Sequence, residues 1–220
     1  MVNKPTIVFD LDGTLADTSA DLLAAANACF ARPVLGPQDA MTAFQGGRAM
    51  LRLGFDRLGL PWSEADVTRD YARLLAAYAD AICVHTALYP GAVAAVEAAI
   101  AQGYATAICT NKPEGLAVDL VRRLGISGLF GALVGADTLP VRKPDPAPYR
   151  LAVARAGGGR SMLVGDTDTD RQTGLAAGVP VALVTFGPEG QGVARFHPEA
   201  LLNHFDELPD LAARLLPERG

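Results

Sequence analysis

Val8-Phe9-Asp10-Leu11-Asp12-Gly13-Thr14-Leu15 carries two carboxylates one residue apart, directly after an apolar run. That run, Thr6-Ile7-Val8-Phe9, has the β-branched and aromatic composition of a buried strand. Residues two apart in an extended segment point the same way, so Asp10 and Asp12 are expected to emerge together where the strand ends. Open α/β sheets place their sites at the carboxyl ends of their strands. A polar turn accounts for Asp12-Gly13 but not for two mutually repelling carboxylates, whereas a divalent cation accounts for both.

Working outward, residues 17–84 show helix signals only. Asp17-Thr18-Ser19 offers caps for a helix over residues 21–30, which Pro33, Gly36 and Pro37 close. Helical spacing returns over residues 38–44 and 50–58, broken at Gly46-Gly47. Ser63-Glu64-Ala65-Asp66 opens a long helix expected to reach about residue 84. From Tyr89 the pattern alternates. Strands are expected at Tyr104-Ala105-Thr106-Ala107-Ile108-Cys109, Ala132-Leu133-Val134, Ser161-Met162-Leu163-Val164 and Val181-Ala182-Leu183-Val184-Thr185-Phe186. Helices are expected from Pro90-Gly91 to about residue 101 and over 114–124, 146–156 and 171–177. Gly157-Gly158-Gly159 reads as a turn, and residues 198–216 read as one or two helices. Strands alternating with helices predict an α/β fold: a Rossmann-like parallel sheet covered by helices on both faces. Residues 1–16 and 85–220 form this core, and residues 17–84 an inserted all-helical domain.

The composition narrows the partners. The 220 residues carry a formal net charge of −5 with no basic run, which argues against nucleic acid and anionic membranes. No apolar stretch approaches the ~20 residues of a membrane span. Met1-Val2-Asn3-Lys4-Pro5 lacks the apolar core of a signal peptide. Cys29, Cys83 and Cys109 are scattered, without a C-x-x-C pair, as expected of reduced, buried thiols. A cytoplasmic location is expected, with a small phosphorylated metabolite as partner and a monomer or homodimer as the assembly.

Polar residues follow the strands expected at the sheet centre. Thr110-Asn111-Lys112 ends the second, Gly165-Asp166-Thr167-Asp168-Thr169-Asp170 the fourth, and Arg142-Lys143-Pro144-Asp145-Pro146 lies between them. Parallel strands bring all of these to the edge that carries Asp10 and Asp12. Asp10, Asp12 and Asp166 offer hard oxygen ligands of the kind Mg2+ takes. The Thr110 hydroxyl, the free N–H groups of its loop and the Lys143 ammonium suit phosphate oxygens. A carboxylate that attacks phosphorus gives an aspartyl-phosphate. Asp12 is then the group to protonate the leaving oxygen and later to activate water.

These stretches resemble the haloacid dehalogenase superfamily of phosphotransferases. Asp10-Leu11-Asp12-Gly13-Thr14 is similar to its first motif, Thr110-Asn111 to its second, Lys143 to its third, and Gly165-Asp166-Thr167 with Asp170 to its fourth. The resemblance implies Asp10 as nucleophile and Asp12 as general acid/base. It implies Mg2+ on the Asp10 carboxylate, the Asp12 backbone carbonyl and Asp166. Gly13, Thr110, Asn111 and Lys143 become substrate-binding positions, and Asp170 a support for Lys143 or for metal-bound water. The helical insert resembles the four-helix cap of the family's first cap type, which sets substrate specificity. Leu15-Ala16-Asp17-Thr18-Ser19-Ala20-Asp21, Tyr89-Pro90-Gly91 and Val141-Arg142-Lys143-Pro144-Asp145-Pro146 are similar to phosphoglycolate phosphatases, implying 2-phosphoglycolate as substrate.

Neighbouring activities of the family leave their own marks. Its dehalogenases lack the second aspartate, its phosphonatases use a cap lysine, and its sugar-phosphate mutases a cap histidine. Asp12 is present here, residues 17–84 contain no lysine, and Thr18-Ser19-Ala20-Asp21 contains no histidine. The alternatives that stay open are a sugar-phosphate or nucleotide phosphatase, a phosphotransferase, or a non-catalytic phosphate-binding regulator. In Gln45-Gly46-Gly47-Arg48, Arg48 is a candidate for a substrate carboxylate; the alternative is a solvated arginine beside a loop. Lys112 reads either as a substrate contact or as a surface residue. Asp168 reads as a solvated turn residue, Asp17 as a cap, and Cys109 as core. Hinges are expected near residues 15–17 and 84–88.

Overall fold

The computed structural model describes residues 3–59 and 61–217. It divides into two compact units, Met1–Ala16 with Leu88–Gly220, and Asp17–Ala87. The second runs three residues past the expected boundary at 84. Two short strands, β2 (Ala16–Asp17) and β3 (Ala87–Leu88), form a two-stranded sheet at the division.

The first unit is built on six parallel strands. They are β1 (Lys4–Phe9), β4 (Ala105–Cys109), β5 (Ala132–Val134), β6 (Gly158–Gly165), β7 (Val181–Val184) and β8 (Ala200–Leu202). Their spatial order is β5-β4-β1-β6-β7-β8, and every neighbouring pair is parallel. The chain therefore winds outward from β1 in one direction through β4 and β5, then in the other through β6, β7 and β8. The switch lies between β1 and β6, where doubly wound sheets open a crevice at their carboxyl ends.

Alternate residues of these strands face opposite sides. Val8, Ala107, Cys109, Leu163 and Leu183 share one buried cluster with Tyr149, Ala152 and Val153. The last three belong to α7 (Pro146–Ala156), which packs on β1, β4, β5 and β6 beside α8 (Asp168–Ala177). Helices α5 (Ala92–Ala101) and α9 (Leu208–Leu215) pack on each other, and α6 (Glu114–Arg123) lies on β5.

Several elements differ from their sequence reading. Gly158 and Gly159 open β6 instead of forming a turn. A Cβ at Gly159 would run into the Lys4 carbonyl, and the β1–β6 register shifts between Lys4 and Thr6. The glycine thus serves the close approach of two central strands. Residues 200–202, expected within a helical tail, form the edge strand β8. Glu199 anchors its start by accepting from Val181 N (2.8 Å) and Arg171 Nη1 (2.7 Å). Helix α8 begins at Asp168, not at Arg171, because Asp170 reaches back to Thr167 N (3.2 Å) and Oγ1 (2.8 Å) at the helix entry.

The second unit holds α1 (Ser19–Asn27), α2 (Ala40–Phe44), α3 (Gly47–Leu58) and α4 (Glu64–Asp80), with a 3₁₀ turn at Pro37–Asp39. Helix α1 stops before the expected residue 30. Asn27 there turns its side chain to the next segment, accepting from Val34 N and Leu35 N and donating to Leu35 O (2.9 Å). Helix α4 stops at Asp80, before the expected residue 84. The chain beyond it is held by the buried Asp21 carboxylate, which accepts from the backbone N–H of Val84, His85 and Thr86 and from Thr86 Oγ1 at 2.7–3.0 Å. Arg57 grips the buried Asp39 through both terminal guanidinium nitrogens, Nη1 and Nη2.

Candidate active site

The ladder of β1 continues one residue beyond the strand, with Asp10 N donating to Val164 O at 2.9 Å. The chain then turns sharply. Gly13 N donates to Ala16 O (2.9 Å), and Leu15 N and Ala16 N both donate to Leu11 O. Gly13 sits at φ +80°, a conformation that side chains disfavour. A Cβ on the neighbouring Gly187 would lie 2.8 Å from the Gly13 carbonyl.

This turn leaves Asp10 at the centre of a buried charge cluster. Its Oδ1 accepts from Leu11 N at 2.7 Å, and its Oδ2 lies 3.1 Å from Lys143 Nζ. Lys143 also meets Asp170 Oδ1 at 2.6 Å. The Asp166 carboxylate completes the group, taking the Thr14 hydroxyl on Oδ1 at 2.9 Å. Oxygens of Asp10, Asp166 and Asp170 lie within 4.8 Å of one another. Burial pushes the Asp10 carboxyl up to about 6, against the pull of Lys143, with Asp170 and Asp12 adding to the rise. Asp166 is raised well above the ordinary carboxylate range, first by burial and then by Asp170 and Asp10. Burial works against the Lys143 ammonium, but Asp10 and Asp170 outweigh it and hold its pKa above that of an ordinary lysine. Three buried carboxylates facing one ammonium leave negative charge in excess. A hard divalent cation fits that excess and that oxygen donor set.

Asp170 has few lone pairs to spare for such a cation. Its carboxylate already accepts from Lys143 Nζ, Asp166 N, Thr167 N and Thr167 Oγ1. The residue therefore fixes Lys143 and the Asp166 loop. Behind it, a Cβ at Gly165 would collide with the Asp170 side chain. Asp168, beside this cluster in sequence, is exposed and bonds Gln172 within α8.

Thr110 follows β4 directly and is buried. Its N–H extends the ladder to Val134 O (3.0 Å), and its Oγ1 accepts from Lys112 N (3.2 Å), so the hydroxyl proton points elsewhere. Asn111 Nδ2 donates to the Lys143 carbonyl at 3.0 Å, tying the second loop to the third. Lys112 is buried, unlike the surface residue the sequence allowed, and its Nζ lies 2.8 Å from Asp12 Oδ1. Asp12 thus pairs with its own lysine, and its carboxylate is not part of the Asp10–Asp166–Asp170 group. Sequence reading gave Thr14 no role and Lys112 no partner; each depends on a residue at least 100 positions away. Cys109 lies beneath the site, its thiol pushed up to about 12 by burial, and is a core residue.

Arg48 belongs to the second unit, near the start of α3. Its guanidinium lies 4.8 Å over the Tyr71 ring and donates to Thr68 Oγ1 at 3.1 Å.

A family model for haloacid dehalogenase-like hydrolases matches residues 4–178. The chain belongs to that family. The matched span contains every charged residue of the cluster just described. Among curated relatives of this haloacid dehalogenase-like hydrolase, a phosphoglycolate phosphatase of Mesorhizobium japonicum is 38% identical, covering 100% of both chains. One of Cereibacter sphaeroides is 37% identical over 96% of this chain and 99% of its own. A crystal structure described as a predicted phosphoglycolate phosphatase from Haemophilus somnus superposes with a TM-score of 0.84 at 26% identity, covering 96% of this chain and 99% of the other. A haloacid dehalogenase-like hydrolase from Streptococcus pneumoniae shares the fold, with a TM-score of 0.75 at 20% identity, covering 96% and 99%. No helix among the described residues is long and apolar enough to cross a membrane.

Proposed function

We propose that this phosphoric monoester hydrolase is Mg2+-dependent and acts on 2-phosphoglycolate through a phospho-Asp10 intermediate. The observation that carries the reading is Asp10 clamped by Lys143, beside Asp166, at the carboxyl ends of β1 and β6. The carboxylates of Asp10 and Asp166 and the backbone carbonyl of Asp12 would hold the cation. When bound, it offsets the repulsion between an anionic nucleophile and an anionic phosphate.

The chain's own residues do the rest. Lys143 and the Thr110 hydroxyl hold phosphate oxygens, with Gly13 and Asn111 shaping the loops around them. An Asp10 oxygen attacks phosphorus, the bond from phosphorus to the ester oxygen breaks, and Asp12 gives its proton to that oxygen. Asp12 next takes a proton from water. The resulting hydroxide attacks the phosphorus of phospho-Asp10, releasing inorganic phosphate and restoring the carboxylate. Asp170 keeps Lys143 aimed throughout.

The helical unit is read as a cap that selects the substrate. Arg48, preorganised on Tyr71 and Thr68, is the group for the glycolate carboxylate. The curated relatives named phosphoglycolate phosphatase support this choice. The test is phosphate release from a panel of small phosphates, with Mg2+ and with EDTA, for the wild type and Arg48→Ala. Release is expected to need Mg2+ and to be strongest on 2-phosphoglycolate. Arg48→Ala should raise KM for that substrate about tenfold or more and leave KM for ethyl phosphate unchanged. A preference for sugar phosphates or nucleotides would overturn the substrate and the role of Arg48, while leaving the hydrolase reading intact.

A further inference from the structure

Two lysines serve the two aspartates of the first motif separately. Lys143 lies on Asp10, and Lys112 lies on Asp12, 2.8 Å from its Oδ1. Lys112 is an unusual place to spend a positive charge: its side chain is only 4% exposed. Buried lysines are rare unless paired. The backbone holds the side chain at its root, because Lys112 N donates to Thr110 Oγ1 and Lys112 O accepts from Ala136 N at 2.9 Å. The loop that presents the phosphate-facing Thr110 therefore also fixes the cation that holds Asp12.

We propose that Lys112 is a positioning residue for proton transfer: by donating to Oδ1, whether or not Asp12 carries a proton on its other oxygen, it holds the Asp12 side chain at the leaving oxygen and separate from the Asp10–Asp166–Asp170 cluster. The inference rests on the hydrolase reading above and adds to it a residue that acts on the reaction through Asp12. Its geometry explains why Asp12 stays out of the carboxylate cluster despite its place two residues from Asp10. A side chain that swings into that cluster cannot meet the departing oxygen, and small misplacements of a catalytic group are costly.

The leaving group makes this testable. An alkyl phosphate expels a basic alkoxide that needs a proton, whereas 4-nitrophenyl phosphate expels a stable anion that needs little help. The ratio kcat/KM reports the transfer to Asp10, where that difference appears. Lys112→Met is expected to lower kcat/KM on ethyl phosphate by about 10- to 100-fold more than on 4-nitrophenyl phosphate. Lys112→Arg should restore much of the loss. In an Asp12→Asn background, Lys112→Met should cost nothing further on ethyl phosphate. Equal losses on both esters, or additive losses in the double variant, would overturn the proposal. So would a rise in KM at constant kcat, which would mark a substrate contact. A wild type that releases phosphate from neither ester would instead overturn the hydrolase reading itself, and the role of Lys112 with it. Melting temperatures of the variants separate these results from unfolding.

Discussion

Thr14 shows how a single hydroxyl can tune the proposed metal site. It is fully buried and donates to one oxygen of Asp166, which fixes the carboxylate plane and leaves the other oxygen for a cation. Groups that orient a metal ligand commonly change affinity by about 10- to 100-fold when removed. Thr14→Val keeps the shape and loses the bond. It should weaken Mg2+ binding by about tenfold, read as the Mg2+ concentration that gives half of the cation-induced rise in melting temperature. An unchanged concentration would show that Asp166 is oriented by packing alone. At this scale the sequence exposed the residues that follow strand ends, namely Asp10, Thr110 and Asp166, and Lys143 in the polar stretch before α7. The support of Lys143 by Asp170 was legible through the resemblance, but other roles that depend on a distant partner stayed hidden. Nothing local says that Thr14 meets residue 166, or that Lys112 turns inward to Asp12 and not outward to solvent.

Among the elements, the carboxylate of Asp21 on α1 does a job that its helical position does not announce. It gathers three backbone N–H groups and one hydroxyl from residues 84–86, so the chain returning from α4 is tied to the first helix of its unit. Each hydrogen bond to a charged acceptor is worth about 1.5–3 kcal/mol, and the donors left behind would be partly buried. Asp21→Ala should therefore destabilise the helical unit by about 2–4 kcal/mol in denaturant unfolding. Amide exchange at Val84, His85 and Thr86 should accelerate well before exchange in α3. A loss below about 0.5 kcal/mol, with protection unchanged, would contradict that role. The same contact explains why a helix expected to reach residue 84 ends at Asp80: Asp21 captures the N–H groups that would have continued it. Strand β8 escaped the sequence reading for a related reason. Ala200-Leu201-Leu202 is too short to show a period of two, and its place is set by Glu199 binding across to Val181 and Arg171.

For the whole molecule, the doubly wound order of the sheet does most to build the site. With β1 at the centre and β4 and β6 on either side, the residues after all three strands meet at one edge. The alternation of strands and helices made that convergence readable, since parallel strands end on the same side whatever their order. The spatial order itself was not readable, because all the core strands are similar apolar runs. Nor was the division of partners that gives Asp10 and Asp12 different lysines. That division follows from the turn at Gly13, which sends Asp10 inward to Lys143 and gives Asp12 its own lysine. The central claim is that Asp10 becomes phosphorylated during turnover. The most direct measurement quenches the Mg2+-loaded enzyme in acid while it turns over 2-phosphoglycolate, then maps the phosphoryl group by peptide mass spectrometry. The account predicts a phosphoryl group on the peptide carrying Asp10, absent in Asp10→Asn and absent without substrate. Turnover at full rate by Asp10→Asn, or a phosphoryl group trapped on any other residue, would contradict it.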